Sequence, residues 1–317
     1  MSNFRYEEHP TVHQLGGHIV DLIRYPDVTD PLWSATNPSI GHNGKTVYAS
    51  TFRSSNYVID KRGNYVHTVG DNFQNRVYFS EFDRDWKLRK LRRIDFDGLE
   101  DVLSRGVEDA KLFYRDGWWF SGVVVDKTYT NAARMAVFEL DSRKSKIKSY
   151  RYIPGRDMAV PEKNWMTTSD VNPHFDWVYG PNQLVTGHML QTWMTDAQPI
   201  HNLRGSSNLV EFGEDSYLGV MHRTFYHKSN PYISTTFASV QSNLRDYVHY
   251  FVLFDKFGYI QEVSQGFRFH QPGVEFAAGL AFYKDKAVVS FGRRDVSSHL
   301  AFIDKDYIVK SLQPVEY

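Results

Sequence analysis

The chain has 317 residues, of which 41% are hydrophobic and 15% aromatic, a composition that can bury a large core and excludes a disordered protein. The 37 basic and 37 acidic residues cancel, which argues against a generic nucleic-acid or membrane-surface binder held by a global field. Because the chain has no cysteine, disulfides, thiolate metal sites and a cysteine nucleophile are excluded.

Short runs rich in β-branched and aromatic residues follow one another along the chain, as strands require. Turn signals made of Gly, Asn and Asp separate these runs, and helical periodicity is nearly absent. The clearest runs are, in chain order, KTVYASTF at 45–52, WWFSGVVV at 118–125, YLGVMH at 217–222, VHYFVLF at 248–254 and AVVSF at 287–291. The sequence therefore predicts an all-β fold built from hairpins.

One pattern recurs five times: a polar or acidic group, a first strand, a turn and a second strand. The five units begin with NPSI at 37, VEDA at 107, EKNW at 162, GSSN at 205 and VEFA at 274. Their starts lie roughly 40 to 70 residues apart, near the spacing of propeller blades made of four short strands. We predict a five-bladed β-propeller, a single domain over residues 1–317, with residues 1–34 packing on the propeller or closing it.

The innermost strand of each blade lines the central channel of a propeller. The polar groups that open the five units would therefore converge on the axis and form an active-site pocket there. The N-terminal residues show no basic segment followed by an apolar run of secretory length, and no stretch of about 18 apolar residues occurs anywhere. We expect a soluble, cytoplasmic protein without a membrane span.

Several residues have a purely structural interpretation that competes with a functional one. His222 and His249 lie within aromatic strands and by default are hydrogen-bonded core histidines. The basic stretch KLRKLRR at 87–93 alternates with Leu, which suits an outer strand with one face in solvent, and RKSKIKSYR at 143–151 has the same character. Neither stretch by itself indicates a nucleic-acid-binding protein.

The motifs together resemble the five-bladed propeller enzymes related to the mannoside phosphorylases, and still more the propeller glycosyltransferase modules of bacteria and phages. Nine segments carry this resemblance in the same order, and they span about residues 35–305. They are NPSI (37–40), FRSSNY (52–57), GVEDAKLF (106–113), EKNWM (162–166), LRGSSNLVEF (203–212), YLGVMHR (217–223), YVHYFVLFD (247–255), GVEFAAGLA (273–281) and VVSFGRRD (288–295).

The resemblance implies a catalytic carboxylate. Making or breaking a glycosidic bond requires a carboxyl group that moves a proton to or from the bridging oxygen. The acidic motif of the family matches Asp109, which becomes the expected general acid or base, with Glu108 beside it orienting it or binding a hydroxyl. In a partly dry channel the pKa of Asp109 is expected to rise toward the working pH. Inverting attack by phosphate needs only this one carboxylate, and Glu275 is a less favoured second one.

The resemblance also divides the predicted pocket into a sugar side and a phosphate side. Sugar hydroxyls need polar partners, and Lys and Arg suit phosphate because charge-assisted hydrogen bonds are strong. Each sugar ligand has a structural alternative as a turn or inter-blade bond. The predicted sugar ligands are Asn37, Arg53, Asn56, Glu275 and Asp295. The predicted phosphate or donor ligands are Lys111, Lys163, Asn164, Arg204, His222 and Arg223.

Two departures from the family pattern affect the functional prediction. Where phosphorylases usually carry Glu-Asp-Pro-Arg, this chain has Ala110 and Lys111 after the acidic pair, so that a bidentate guanidinium becomes a point charge. The segment MHR at 221–223 replaces a His-Glu-Val form common in the glycosyltransferase modules and adds a positive charge, which would favour an anionic donor or acceptor. No convincing metal-ligand cluster or cofactor motif is present, so we expect no metal and no cofactor.

Three functions stay open at this point. The first is a glycosyltransferase that uses a nucleotide sugar or another activated sugar. The second is a phosphorylase or hydrolase of β-mannosides or similar glycosides, and the third is a non-catalytic propeller that binds a glycan or a protein. For a transferase, the acceptor would be a polysaccharide, a small molecule or a hydroxylated base in DNA, where the basic stretches at 87–93 and 143–151 offer an electrostatic footprint.

Overall fold

The computed structural model describes residues 9–23, 32–60, 65–99, 103, 105–125, 133–153, 163–168, 203–226 and 245–315, with the backbone of three short strands between 177 and 192. The strands of the first half are β1 (His18–Ile23), β2 (Ser34–His42), β3 (Tyr48–Ser55), β4 (Tyr57–Ile59), β5 (Tyr65–His67), β6 (Asn75–Glu81), β7 (Arg92–Arg93), β8 (Val107–Tyr114), β9 (Trp118–Val125), β10 (Ala133–Asp141) and β11 (Lys146–Tyr152). The second half contains β12 (Met166–Thr167), β13 (Trp177–Val178), β14 (Gln183–Thr186), β15 (Met189–Thr192), β16 (Leu203–Gly205), β17 (Val210–Glu211), β18 (Ser216–Tyr226), β19 (Arg245–Asp255), β20 (Ile260–Ser264), β21 (Glu275–Tyr283), β22 (Lys286–Arg293), β23 (Ser297–Asp304), helix α1 (Lys305–Ser311) and β24 (Leu312–Pro314).

Four antiparallel sheets dominate the fold. Their strand orders are β2-β3-β6-β7, β8-β9-β10-β11, β16-β18-β19-β20-β24 with β17 also on β18, and β21-β22-β23-β1. The first strands β2, β8 and β21 belong to three different sheets and pack against one another. The sheets thus meet along their first strands, which is the radial arrangement of a propeller.

The described residues contain four sheets of four or more strands, one fewer than the five predicted blades. The unit predicted to begin with EKNW at 162 is present as two two-stranded ladders, β12 with β13 and β14 with β15. Its first strand, β12, has two residues, far short of the eight or nine of β8 and β21. Much of this predicted unit, including residues 154–162 and 193–202, lies outside the described residues.

The last large sheet combines strands from both ends of the described chain. β1 pairs antiparallel with β23, with Val20 opposite Leu300, so residues 18–23 form the outer strand of a sheet whose other strands follow residue 274. In the described part of the chain, no helix is long and apolar enough to cross a membrane.

Aromatic side chains fill the spaces between neighbouring sheets. Phe79 of β6 and the stacked pair Phe120 and Phe138, with ring centroids 5.0 Å apart, lie between the first two sheets. Phe269 and Phe291 stack with ring centroids 3.9 Å apart in the core between the third and fourth sheets. All five side chains are fully buried, and burying a side chain of this size contributes about 1.5–3 kcal/mol relative to exposure.

Bulges in the inner strands turn polar side chains toward the centre. The register of β2 shifts between Thr36 and Ser39, and that of β8 shifts between Glu108 and Lys111. Asn37 and Asp109 occupy these bulges with φ of 44° and 49°, a left-handed conformation that Asn and Asp tolerate better than most residues. A bulge changes the direction in which its side chain points. β2 and β8 therefore each present a polar side chain, Asn37 and Asp109, from the bulge in the strand.

Other polar residues that open the predicted units join neighbouring sheets. The Ser39 hydroxyl accepts a hydrogen bond from the backbone N–H of Leu112 at 2.9 Å, and the Asn208 side chain bonds both backbone groups of Leu280 at 2.8 and 3.0 Å. These groups are buried, so the bonds satisfy polar atoms that water does not reach. Part of the repeated polar signal in the sequence is therefore structural.

Candidate functional site

A buried arginine links acidic groups from two other sheets at the meeting point of the inner strands. Arg53 lies on β3, and its Nη1 is 2.9 Å from Asp109 Oδ1 while its Nη2 is 2.6 Å from Asp295 Oδ1. The Arg53 side chain is 4% exposed, and those of Asp109 and Asp295 are 16% and 11% exposed. One guanidinium therefore holds two carboxylates at a fixed separation, which its planar fork of donors suits.

Asn37 completes this acidic cluster from the bulge in β2. Its Nδ2 donates to Asp109 Oδ1 at 2.7 Å and lies 3.5 Å from Asp295 Oδ1, while its Oδ1 accepts from the Thr36 hydroxyl at 3.1 Å. Gly292 on β22 leaves room for this arrangement, because a Cβ atom there would lie 2.1 Å from Asn37 Oδ1. The backbone of the last sheet thus fixes the amide that contacts the predicted catalytic carboxylate.

The acidic groups of the cluster differ in their protonation behaviour. Burial acts to raise the pKa of Asp109, but the charges of Arg53 and Lys111 and the hydrogen bond from Asn37 outweigh it and lower that pKa. Burial raises the pKa of Asp295 despite Arg53, and it also raises the pKa of Glu108. The expectation of a raised pKa for Asp109 is therefore wrong, because in this structure its pKa is lowered.

Lys111 is the most unusual cation of the site. It is fully buried, its Nζ lies 5.7 Å from the centroid of the Phe276 ring, and this atom has no hydrogen-bond partner among the residues that the structure describes. Burial lowers the pKa of Lys111 to about 8, although Asp109 opposes the shift. A buried ammonium without a hydrogen-bonding acceptor is costly, and an anion bound beside it would relieve that cost.

His222 marks the cationic side of the site. Its Nδ1 is 2.6 Å from the Ser206 hydroxyl and its ring stacks on Tyr247 at 4.8 Å, so it is also a satisfied core histidine. Burial lowers its pKa, and His249 and nearby cations add to the effect. The cations close enough to act on His222 are Arg204, Lys111 and Lys163.

The structure brings most, but not all, predicted phosphate ligands to this side. Lys163 is exposed, and its charge lowers the pKa of both Glu108 and His222, so it lies near the acidic and the cationic side of the site. Asn164 is buried with φ of 67° at the start of its unit. Arg223 follows His222 on β18 and therefore faces the opposite side of the sheet, where its guanidinium lies 4.8 Å from the Phe225 ring centroid.

Two predicted sugar ligands already have structural partners. The Asn56 amide donates to the carbonyls of Val69 and Asn72 at 2.7 and 2.8 Å and accepts from the Gln74 N–H at 2.8 Å. Both of its donors are therefore used within one loop, which leaves it a single acceptor lone pair for a sugar.

Glu275 accepts from the backbone N–H groups of Phe269 and His270 at 3.0 and 3.2 Å. Burial raises its pKa to about 7 in spite of these bonds. A role for Asn56 or Glu275 in sugar binding stays a prediction.

Substitution of Glu275 should change how stability depends on pH. A carboxyl group with a folded-state pKa of about 7, against 4.5 ordinarily, binds more protons in the folded state between these values. The free energy of unfolding should therefore fall by about 3 kcal/mol from this group as pH rises from 4.5 to 7. Glu275→Gln imitates the protonated form, so urea unfolding at pH 5 and pH 8 should show this loss in the parent and not in the variant. An unchanged loss in Glu275→Gln, as expected for the control Glu214→Gln on an exposed turn, would contradict the assignment.

Several residues that shape the site were not among the predicted site residues. Asn75 on β6 lies with its Nδ2 3.4 Å from Glu108 Oε1, and Tyr57 has its ring 5.7 Å from the Arg53 guanidinium. Phe276 separates Lys111 from His222, and Gly292 gives Asn37 its space. Tyr57, Phe276 and Gly292 lie in segments that carry the resemblance. Apart from the contact between Tyr57 and Arg53, however, these contacts join strands far apart in the chain, which no local motif reports.

Comparison with known proteins gives matches at the level of structure. No protein-family model matches the chain, and no curated protein matches it. The structure is similar to a β-1,2-mannobiose phosphorylase from Listeria innocua, with 12% identity and a TM-score of 0.61 over 93% of this chain and 99% of that one. It is also similar to a glycosyl hydrolase from Bacteroides ovatus, with 12% identity and a TM-score of 0.58 over 100% and 98% of the two chains.

A third similar structure is a mannose phosphorylase from Leishmania mexicana in complex with a phosphate ion, with 11% identity and a TM-score of 0.56 over 95% and 93% of the two chains. None of these three structures is described as a glycosyltransferase. Of the two parts of the resemblance drawn from the sequence, they support the likeness to mannoside phosphorylases. At these identities the similarity concerns the fold, and the predicted all-β propeller is thereby confirmed.

Proposed function

We propose that this chain makes or breaks a glycosidic bond at the axial site, as a phosphorylase or hydrolase of β-mannosides or similar β-glycosides. The observation that carries the proposal is the clamp of Arg53 on Asp109 and Asp295, with buried Lys111 close to Asp109. An acidic cluster suits sugar hydroxyls and proton transfer, and an adjoining cationic group suits phosphate. The similarity to a β-1,2-mannobiose phosphorylase and to a mannose phosphorylase supports the substrate class.

Asp109 is the residue to which we assign the proton. In phosphorolysis, a phosphate oxygen attacks the anomeric carbon, the bond from that carbon to the bridging oxygen breaks, and the bridging oxygen receives a proton from Asp109. In the reverse direction, Asp109 takes the proton from the acceptor hydroxyl while phosphate leaves. Because its pKa is lowered, Asp109 is ionised near neutral pH, as this reverse step requires. In the forward step it must first take up a proton from solvent.

Phosphate is assigned to the side of Lys111, Lys163 and Arg204. The three cations act together on the pKa of His222, so an anion beside this ring would feel all of them. The Lys111 ammonium supplies hydrogen-bond donors that a phosphate oxygen would satisfy. Phosphate is a co-substrate in this proposal, and the chemistry uses no metal and no cofactor.

Glycosyl transfer from a nucleotide sugar or another activated sugar is the second candidate. The lowered pKa of Asp109 favours it, because a transferase needs a base that is ionised before the acceptor hydroxyl arrives. The same cations would then hold the phosphate or diphosphate of the donor. We include a cytoplasmic location in the proposal, whether the donor is a nucleotide sugar or another activated sugar.

Product analysis separates these reactions. The protein is incubated with β-1,2-mannobiose with and without phosphate, and separately with mannose 1-phosphate or GDP-mannose together with mannose. Mannose 1-phosphate formed only when phosphate is present supports phosphorolysis, and free mannose formed without phosphate supports hydrolysis. Transfer from GDP-mannose alone would replace the first candidate by the second, and no turnover in any mixture would count against both.

Lys163→Ala tests the phosphate side. Because Lys163 is exposed, its loss should leave the thermal midpoint within a degree or two, whereas the loss of one charge-assisted hydrogen bond should raise the KM for phosphate roughly tenfold or more. Lys284→Ala on the exposed turn between β21 and β22 is the matched control. A lower midpoint with an unchanged KM would show that Lys163 is structural.

A further inference from the structure

The two basic stretches of the sequence meet in the folded chain. Residues 87–93 lead into β7, the outer strand of the first large sheet, and residues 143–151 contain most of β11, the outer strand of the second. Arg92 Nη1 donates to the Arg143 carbonyl at 3.4 Å, and Asp95 bonds the backbone of Ser145 and Ile147 at 2.8 and 3.1 Å. We call the joined surface the basic rim, formed by Lys87, Arg89, Lys90, Arg92, Arg93, Arg143, Lys144, Lys146, Lys148 and Arg151.

The basic rim concentrates positive charge in a chain that is neutral overall. Each of its two stretches contains five cations and no acidic residue, so the rest of the sequence has ten more acidic than basic residues. Nine of the ten cations are exposed. Carboxylates pair with Arg89, Lys146 and Lys148 at 3.6, 3.0 and 2.9 Å. Such exposed pairs are weak, and a polyanion can replace the carboxylates.

A cleft of about 640 Å³ opens beside the basic rim. Among the described residues, its lining includes Arg76, Arg93, Arg105 and one acidic side chain, Asp95. The Arg76 guanidinium lies 3.6 Å from the centroid of the buried Trp33 ring. The cleft has the volume of a small-ligand site and a charge that suits an anion.

The cleft is next to the acidic cluster of the candidate site. Asn75 lines the cleft, and its Nδ2 lies 3.4 Å from Glu108 Oε1. Gly106 also lines the cleft and is two residues from Glu108, and a Cβ on Gly106 would lie 2.0 Å from the Asn75 carbonyl oxygen. A long molecule held by the rim and the cleft would therefore reach the place where we assign the chemistry.

We propose that the basic rim and the arginine-lined cleft bind the phosphate backbone of a nucleic acid. A nucleic acid fits better than an anionic polysaccharide because a stacked guanidinium such as Arg76 presents a flat cationic face of the kind on which bases stack. The arginine forks on both stretches match phosphate oxygens in pairs.

Direct binding measurements test this without any turnover, so failure of the proposed reaction would not obscure the result. A fluorescein-labelled 20-nucleotide single strand and the matching 20-base-pair duplex are titrated with the protein at 50, 100 and 200 mM NaCl and followed by fluorescence anisotropy. Affinity should fall steeply with salt. Each phosphate contact contributes a slope of about 0.7 for the single strand or 0.9 for the duplex in log K against log salt.

Two double variants probe this surface, one at residues that line the cleft and one at residues of the rim alone. Arg93→Gln with Arg105→Gln, and Lys87→Gln with Lys90→Gln, should each weaken binding roughly tenfold or more and reduce the salt slope by about one to two. All four side chains are exposed, so the thermal midpoint should not change. The control Lys284→Gln with Lys310→Gln removes the same charge from exposed positions outside the basic rim and the cleft. It should leave the affinity and the salt slope unchanged.

Three results would overturn the proposal. The first is a parent protein that binds neither probe at 50 mM NaCl. The second is an equal loss of affinity in the control and the two test variants, which would indicate non-specific attraction. The third is displacement of the labelled strand by polygalacturonate at a lower charge concentration than by unlabelled DNA, which would assign the surface to an anionic polysaccharide.

Discussion

Asp109→Asn is expected to lower turnover by roughly 10²-fold to 10⁴-fold, the usual contribution of a general acid or base. The amide keeps the shape of the side chain but cannot carry the proton. Substrate binding should survive, because Arg53 keeps its contact with Asp295 and the cationic side is untouched. The measurement is single-turnover and steady-state kinetics with the substrates that the product analysis identifies.

Asp116→Asn is a close control for this variant. Asp116 lies at the other end of the β8–β9 hairpin, is exposed, and has a φ of 52°, close to the 49° of Asp109. The Asp116→Asn variant should turn over substrate at the rate of the parent protein. Because the pKa of Asp109 lies below its ordinary value of 3.8, the synthetic direction should keep its rate from neutral pH down to about pH 5. A near-normal rate in Asp109→Asn across this range would transfer the role to Glu108 or Glu275.

Arg53→Met is expected to destabilise the fold by about 3–5 kcal/mol, because it leaves two buried carboxylates without the cation that separates them. Urea unfolding at pH 7 measures the loss. The defect should shrink as the pH is lowered toward 4, since Asp295, whose pKa is already raised by burial, takes up a proton and the repulsion with Asp109 ends.

An exposed ion pair provides the control for the stability of Arg53→Met. Arg89→Met breaks the contact with Glu81, where the Arg89 side chain is 64% exposed, and should cost less than about 1 kcal/mol. Arg53→Lys should lie between the two, because a single ammonium cannot bond both carboxylates in the geometry of the guanidinium fork. Equal losses for Arg53→Met and Arg89→Met would mean that the clamp adds nothing to stability.

The sequence predicted the acidic cluster well because its members lie in short motifs. Asn37, Arg53, Asp109 and Asp295 were each predicted as site residues, and the structure places them within hydrogen-bonding distance of one another. What the sequence did not predict is their electrostatics. The pKa of Asp109 depends on Arg53 and Lys111, and their distances follow only from packing across sheets.

Side-chain direction was the harder part of the site to predict. His222 and Arg223 are neighbours in sequence, and a strand sends neighbours to opposite faces, so one motif divides between two environments. Asn56 belongs to the matching segment FRSSNY, but its amide donates both of its hydrogen bonds to backbone carbonyls of a nearby loop. A linear motif reports which residues are near the axis and not which atoms remain for a ligand.

The blade count was predicted from repeated hairpins, and the four large sheets follow four of the five units. The polar groups that open the units were expected to converge on the axis and form a pocket, whereas Ser39 and Asn208 bond the backbone of the adjacent sheet. Both uses put a buried polar group near the axis, and composition alone does not separate them. The hydrogen-bond partners do.

The pairing of β1 with β23 also determines how this protein can fold. Asp21 and His299 lie 278 positions apart in the chain, yet their side chains are 2.8 Å apart across this pair of strands. A contact so distant in sequence must wait for loop closure over almost the whole chain. The other three strands of that sheet can assemble locally, but β23 keeps an open edge until residues 18–23 return to it. We therefore expect this join to form late and slowly, and the intermediate before it to be the state most prone to aggregate through the uncovered edge.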